Sequence, residues 1–292
     1  KAVAETARPY SSYVVQKARI KGAKPHPAKL VESTTLASVE PPDVQITLHL
    51  PRKLIESGIL SGPQLEAIIY AVQAHEQTLP EGATAGFWLG DGTGAGKTRI
   101  MYGIVYEHYL RGRKKAVHIS AKKELIEQAK ADAGALGYPA PIISQNAISQ
   151  NAEIEAQEGV LFTTYSLLSR EWTKNKTRFA QLANWLGQDF DGVILFDEAH
   201  KMKNAAMQRN PDAPQMQEGT NTGNMGIELQ RMFPRAKVVY ASATGASEIR
   251  HMVAYERMGL WGKGRHFEKF SDFFRALHSA GLAGFEALTA SL

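Results

Sequence analysis

No cysteine occurs in the 292 residues. That absence excludes a disulfide scaffold, a thiol nucleophile and every thiolate metal site. It also suits a reducing compartment, and an intracellular location, cytoplasmic or nuclear, is the expectation. Long apolar runs are lacking as well. No stretch approaches the ~18 apolar residues that a bilayer crossing needs, and the first residues do not read as a signal peptide, so no membrane partner is expected. Charge of one sign is scarce: 34 basic against 29 acidic residues leave +5 at neutral pH, a balance compatible with a polyanionic partner without requiring one. The nine histidines include no pair at metal-ligand spacing beside an acid, which argues against zinc. There is no G-x-S-x-G for a serine hydrolase. Nor does an acid follow the second strand, where a dinucleotide enzyme would hold a ribose; Ala121-Lys122-Lys123 stands there instead.

What is present is enough for a large core, since 43% of residues are hydrophobic. The length suits about two domains of ~150 residues, or one large domain with extensions. The first residue is Lys1 and the last segment stops within a helical pattern, so both ends read as cuts and the chain as a fragment. Residues 1–50 are rich in Pro, Lys and Ser/Thr and read as an extended, partly irregular arm lying over a domain. Helices are expected over 51–58 and, more strongly, 62–75, where Leu65, Ile68, Ile69 and Val72 recur at helical spacing. From there short apolar runs alternate with helical patterns. Strands are expected over 85–89, 116–120, 160–164, 193–196 and 237–241. Helices are expected over 97–111, 123–136, 166–172, 178–186 and 227–233, and 265–277 reads as an amphipathic helix. Unalternating runs such as Val193-Ile194-Leu195-Phe196 are what strands buried on both faces look like. The fold class is therefore α/β: three layers on a mostly parallel sheet.

Three motifs fall at the ends of such strands, where ligands of open α/β sheets bind. Gly90 to Thr98 reads Gly-Asp-Gly-Thr-Gly-Ala-Gly-Lys-Thr. Its glycines allow the backbone of Asp91, Gly92, Thr93, Gly94, Ala95 and Gly96 to turn consecutive amides inward as an anion nest. Lys97 supplies a compact cation for β/γ-phosphate oxygens, and Thr98 a hydroxyl for magnesium at a helix N-terminus. Asp91 stands where the usual pattern opens with glycine. The second motif is Asp197-Glu198-Ala199-His200. A carboxylate ending a buried strand can hold Mg²⁺ opposite Thr98, and Glu198 can orient or deprotonate a water. The third is Ser242-Ala243-Thr244, small hydroxyl residues placed to bond the acidic tetrapeptide. Phosphoryl transfer needs this division of labour, with Lys97, Asp197 and Glu198 as the catalytic set.

In this order the three motifs resemble motifs I, II and III of superfamily II helicases and translocases, in which the phosphate loop often opens with Ala or Asp. Thr164-Tyr165-Ser166-Leu167-Leu168 resembles the motif Ic region, and Gln64 the adenine-reading glutamine upstream of motif I. Further stretches are similar to the strawberry notch family: Gly22-Ala23-Lys24-Pro25-His26-Pro27, Leu30-Val31-Glu32-Ser33, Gln64-Leu65-Glu66-Ala67, Tyr240 to Ser247 and Gly259-Leu260-Trp261-Gly262.

The resemblance implies a P-loop, RecA-like ATP-binding lobe over 51–262, with 263–292 leading towards a second RecA-like lobe in the same or a partner chain. It implies ATP and Mg²⁺ as cofactors. His200, Ser242 and Thr244 would couple hydrolysis to the partner, and Lys122, Lys123 and Thr164 would grip a nucleic acid, with duplex DNA the expected partner and DNA versus RNA left open. The 48 residues after Thr244 are too few for the second lobe and its arginine finger. This piece alone is thus expected to hydrolyse ATP very slowly, the finger being worth roughly 10³–10⁵ in related enzymes. The other reading left open is a nucleotide-switched scaffold in transcription or chromatin regulation without motor activity. Trp172, Trp185 and Trp261 are expected in the core.

Overall fold

Along each central strand the apolar side chains alternate between two buried faces, and that alternation builds the molecule. In the computed structural model, which describes residues 10–33, 40–90, 94–170, 177–203, 205, 220–242, 249–277 and 279, six parallel strands form the sheet. They are β3 (Phe87–Leu89), β4 (Lys115–Ser120), β5 (Ile142–Ser144), β6 (Gly159–Thr164), β7 (Val193–Asp197) and β8 (Lys237–Ala241). Their order is β3-β8-β7-β4-β6-β5. Ile194 and Phe196 of β7, with Val238 and Tyr240 of β8 and Val117 and Ile119 of β4, enter one apolar cluster. Val193, Leu195, Val239, Ala241 and Ala116 enter the other. Both faces are therefore dry, as expected of a parallel sheet flanked by helices.

Helices α2 (Gly62–Ala74), α3 (Lys97–Leu110) and α4 (Ile126–Leu136) supply the second cluster, together with the short α1 (Arg52–Glu56). Helices α5 (Tyr165–Ser169), α6 (Thr177–Leu186) and α7 (Asn221–Met232) supply the first. The α/β class read from the sequence is the class observed. The sixth strand, β5, has no counterpart among the expected elements. It is three residues long, follows Pro141 and pairs on one side only, with β6, so its apolar signal is short and half-buried. The helix foreseen over 123–136 begins with a 3₁₀ turn at Lys123–Leu125 before α4. Trp185 and Trp261 lie in the core at 7% and 8% exposure; Trp172 falls outside the described residues.

Within the N-terminal arm, β1 (Tyr10–Ser12) and β2 (Val31–Ser33) pair antiparallel. The end of the arm is tied down by Glu107, a fully buried carboxylate of α3. It accepts the backbone N–H groups of His49 (2.8 Å) and Leu50 (3.0 Å) and the Nε–H of Arg111 (2.8 Å).

Two buried histidines bridge α2, α3 and β8. His75 Nε2 lies 3.1 Å from the carbonyl of Val238, and His75 Nδ1 lies 2.9 Å from His108 Nε2. Both rings are neutral. Burial pulls His75 down to about 3, and burial, then the neighbouring His75, holds His108 well below the usual imidazole value. One proton per ring serves both contacts, His75 donating to Val238 and His108 donating to His75, while His108 Nδ1 has no hydrogen bond among the described residues. Because the folded values lie below the unfolded one, their stabilisation is complete above pH ~6.5 and falls as pH drops below it. Together the two rings are expected to withdraw stability on the order of 1 kcal/mol or more between pH 7.5 and 5.5. Urea unfolding at the two pH values checks this, and equal stabilities would refute it.

Candidate active site

The register of the sheet brings the separate motifs to one end. Leu89 pairs with Ala241, Asp197 pairs with Ala241, and the N–H of Ser242 donates to the carbonyl of Leu89 at 3.1 Å. The loop after β3, the acid after β7 and the serine after β8 thus leave three adjacent strands side by side.

Of the phosphate loop, Gly94, Ala95, Gly96, Lys97 and Thr98 are described; Asp91, Gly92 and Thr93 lie outside the described residues. Gly94 (φ 100°) and Gly96 (φ 78°) adopt positive φ, the conformation that lets successive amides converge. Gly96 is required twice over, since a Cβ there would stand 2.6 Å from the Gln64 amide nitrogen. That amide donates to the carbonyl of Ala95 at 3.0 Å, while its oxygen accepts the N–H of Ser61 at 3.0 Å. Gln64 therefore braces the loop from α2. Lys97 and Thr98 open α3, both half-buried. A cavity of about 230 Å³ adjoins Gly90 and Ala95, walled by Pro63, Gln64 and Tyr70 of α2, Trp88 of β3 and Tyr13 of the arm. A larger one of about 530 Å³ lies between residues 12–30 and Gly62–Pro63, lined by no residue of the phosphate loop, of Asp197–His200 or of Ser242–Thr244.

Asp197 is 13% exposed at its side chain. Its Oδ1 accepts the N–H of Glu198 at 3.0 Å, and its Oδ2 faces Ser120 Oγ at 3.4 Å and His118 Nε2 at 3.6 Å. Glu198 adopts φ 52° and ψ 51°, the one positive φ outside glycine among the described residues. That conformation turns its carboxylate towards His200, whose Nδ1 lies 3.2 Å from Glu198 Oε2 and 3.0 Å from the Oγ of fully buried Ser242. A single imidazole nitrogen thus joins the acid after β7 to the hydroxyl after β8. Thr244 lies outside the described residues.

Lys122 and Lys123 are exposed on the turn after β4. Thr164 is buried, and its hydroxyl caps α5 by accepting the N–H of Leu167 at 3.2 Å; the exposed hydroxyl on that turn is Ser166. His118 and Ser120, which face Asp197 from within, and Tyr102, which bonds His118, carry no motif. Their one trace in the sequence is a polar residue, His118, inside an apolar strand.

The donor set suits a hard cation. Thr98 offers a hydroxyl and Asp197 a carboxylate, oxygen ligands of the kind magnesium takes beside phosphates. Among the described residues no three His, Cys, Asp or Glu side chains gather as a metal cage.

These features define a P-loop NTPase domain of helicase-like fold. The chain belongs to the P-loop containing NTP hydrolase pore-1 family, whose model matches residues 25–292. It is 45% identical over 97% of its length to Protein strawberry notch of Drosophila melanogaster, covering 17% of that protein. It is 44% identical over 96% of its length to strawberry notch homolog 2 of Mus musculus, covering 20% of that one. The chain thus spans about a fifth of the length of these curated relatives. Among solved structures, the Sulfolobus solfataricus SWI2/SNF2 ATPase core in complex with dsDNA shares the fold, with TM-score 0.52 and 13% identity over 78% of this chain and 42% of that one. The resemblance to the strawberry notch family holds. Among the described residues no helix is long and apolar enough to cross a membrane.

Proposed function

We propose that this domain is the ATP-binding lobe of an ATP-driven nucleic-acid translocase or helicase. The observation that carries the reading is the His200 nitrogen shared by Glu198 and Ser242, because it ties the water-activating acid to the strand end beside the phosphate loop. ATP would lie with its phosphates on Gly94–Thr98 and its base in the cavity between Tyr13, Tyr70 and Trp88. Gln64 keeps one amide hydrogen and one lone pair for the base. Mg²⁺, held by Thr98 and Asp197, would neutralise charge on the phosphate oxygens. Lys97 steadies the transferring phosphoryl group and Glu198 takes the proton of the attacking water.

Exposed Lys122 and Lys123 would meet a nucleic-acid backbone. The solved ATPase core of the same fold is a complex with dsDNA, which supports duplex DNA as the partner. A second RecA-like lobe would complete the cleft and bring the arginine finger. The test is ATP turnover by the protein with and without duplex DNA, alongside DNA binding across a salt series. Stimulation is expected, and Lys122→Ala combined with Lys123→Ala is expected to flatten the slope of log affinity against log salt by about 0.9 per lost phosphate contact. Turnover indifferent to DNA, with a salt-independent affinity, would sink the motor reading.

A further inference from the structure

Behind the acid that ends β7, on the side away from the cleft, sits a histidine that the reaction outlined above does not use. His118 is 1% exposed. By the alternation of β4 and β7 it shares a face with Asp197, since Ala116, Val193 and Leu195 all enter the cluster on the α3 side. Its ring is wedged edge-on against Phe162 at 4.7 Å between centroids and tilted against Tyr102 at 5.7 Å, so its plane is fixed. Its Nδ1 lies 3.2 Å from the Tyr102 hydroxyl. Its Nε2 lies 3.6 Å from Asp197 Oδ2 and makes no hydrogen bond among the described residues.

The tautomer follows from Tyr102. Burial holds that phenol well above its ordinary value, so it keeps its proton, and His118 Nδ1 is the acceptor within reach. With Nδ1 accepting, the proton of a neutral ring stands on Nε2 and points at the carboxylate. The opposite tautomer would strand the phenol hydrogen and set a lone pair against Asp197. A buried N–H left short of a full hydrogen bond costs about 1–3 kcal/mol, and such a group calls for a reason. Tyr102 and Thr98 lie four residues apart, on one face of α3. The helix that carries Thr98 therefore also reaches, through Tyr102 and His118, towards the Asp197 carboxylate.

We propose that His118 is a positioning residue for the metal site: its Nε2–H, set by Tyr102, holds the Asp197 carboxylate so that its remaining lone pairs face the magnesium of a bound nucleotide. This rests on the reading that Asp197 serves that ion. Partners behind a ligand commonly change metal affinity ~10–100-fold when removed.

The experiment is calorimetric ATP binding at increasing Mg²⁺, in the parent protein and in His118→Phe, His118→Gln and Tyr102→Phe. His118→Phe fills the space without a donor. It is expected to raise the Mg²⁺ concentration that half-maximally tightens ATP binding ~10-fold, with metal-free ATP affinity unchanged. His118→Gln, which keeps an N–H near the Nε2 position, is expected to recover most of that loss. A merely structural role would move neither the Mg²⁺ midpoint nor its rescue. A folded His118→Phe with a midpoint within about twofold of the parent, against the ~10-fold expected, overturns the proposal. Should His118→Phe fail to fold, Tyr102→Phe decides: a smaller shift in the same direction supports it and an unmoved midpoint overturns it. Failure of the underlying reading looks different, because Asp197→Asn would then also leave the Mg²⁺ midpoint in place.

Discussion

Glu198→Gln is expected to bind ATP as tightly as the parent and to hydrolyse it ~10²–10⁴-fold more slowly, the usual span for a lost general base. The amide keeps the size of the side chain and its contact with His200 but cannot take a proton from water. Lys97→Ala is expected to behave in the opposite way. It removes the cation that meets the phosphates, so ATP affinity itself falls. Calorimetric binding and single-turnover hydrolysis separate the two, and a Glu198→Gln protein that turns over at the parental rate would remove Glu198 from the chemistry. The backbone at Glu198 sharpens the test. A non-glycine residue in the left-handed region is strained by roughly 1–2 kcal/mol. Glu198→Gly therefore should be as stable as the parent or more so while losing hydrolysis equally. Strain kept at a residue whose removal stabilises the fold is the signature of a position selected for chemistry.

How much of this was legible beforehand depends on how each feature is encoded. The phosphate loop, Asp197-Glu198 and Ser242 are local in sequence and follow strands whose unalternating apolar runs are hard to read otherwise. Their meeting at one sheet end followed from the parallel α/β class alone. The brace behind Asp197 was not legible. His118, Ser120 and Tyr102 come from a strand and a helix, and nothing in their spacing marks them until the register places β4 beside β7. Thr164 teaches a related lesson. A threonine between a strand and a helix is as good a helix cap as a phosphate contact, and the structure uses its hydroxyl as a cap. Gln64, likewise, engages both ends of its amide within the protein, a use that its place in a motif does not disclose. Edge strand β5 leaves little mark in the sequence, because one neighbour and three residues give too little apolar signal.

Arg257→Leu is expected to cost several kcal/mol of folding stability, since each buried acceptor left unsatisfied costs about 1–3 kcal/mol. Arg257 is 3% exposed and lies on a 3₁₀ turn (Glu256–Met258) at the amino ends of the strands, opposite the phosphate loop. Its Nη1 donates to the carbonyls of Thr84 (3.0 Å), Pro234 (2.9 Å) and Ala236 (3.3 Å), and its Nη2 to Phe233 (2.8 Å) and Gln230. Burial lowers its pKa from the ordinary arginine value, yet the guanidinium keeps its charge, and the carbonyls must solvate it. Gln230 and Phe233 belong to the C-terminal end of α7, where the helix dipole is negative. Leucine would leave five acceptors without this donor. Lysine would not restore them, because one ammonium has three hydrogens on a point charge where the guanidinium spreads five across a plane. Urea unfolding of Arg257→Leu and Arg257→Lys checks both statements; a loss below about 1 kcal/mol for leucine, the scale of one ordinary hydrogen bond, would show that the carbonyls find water instead. Metal-free ATP affinity of the folded fraction should not change. The groups proposed to hold ATP stand at the far ends of the same strands, so Arg257 secures the polypeptide after β8 to the lobe without touching the chemistry.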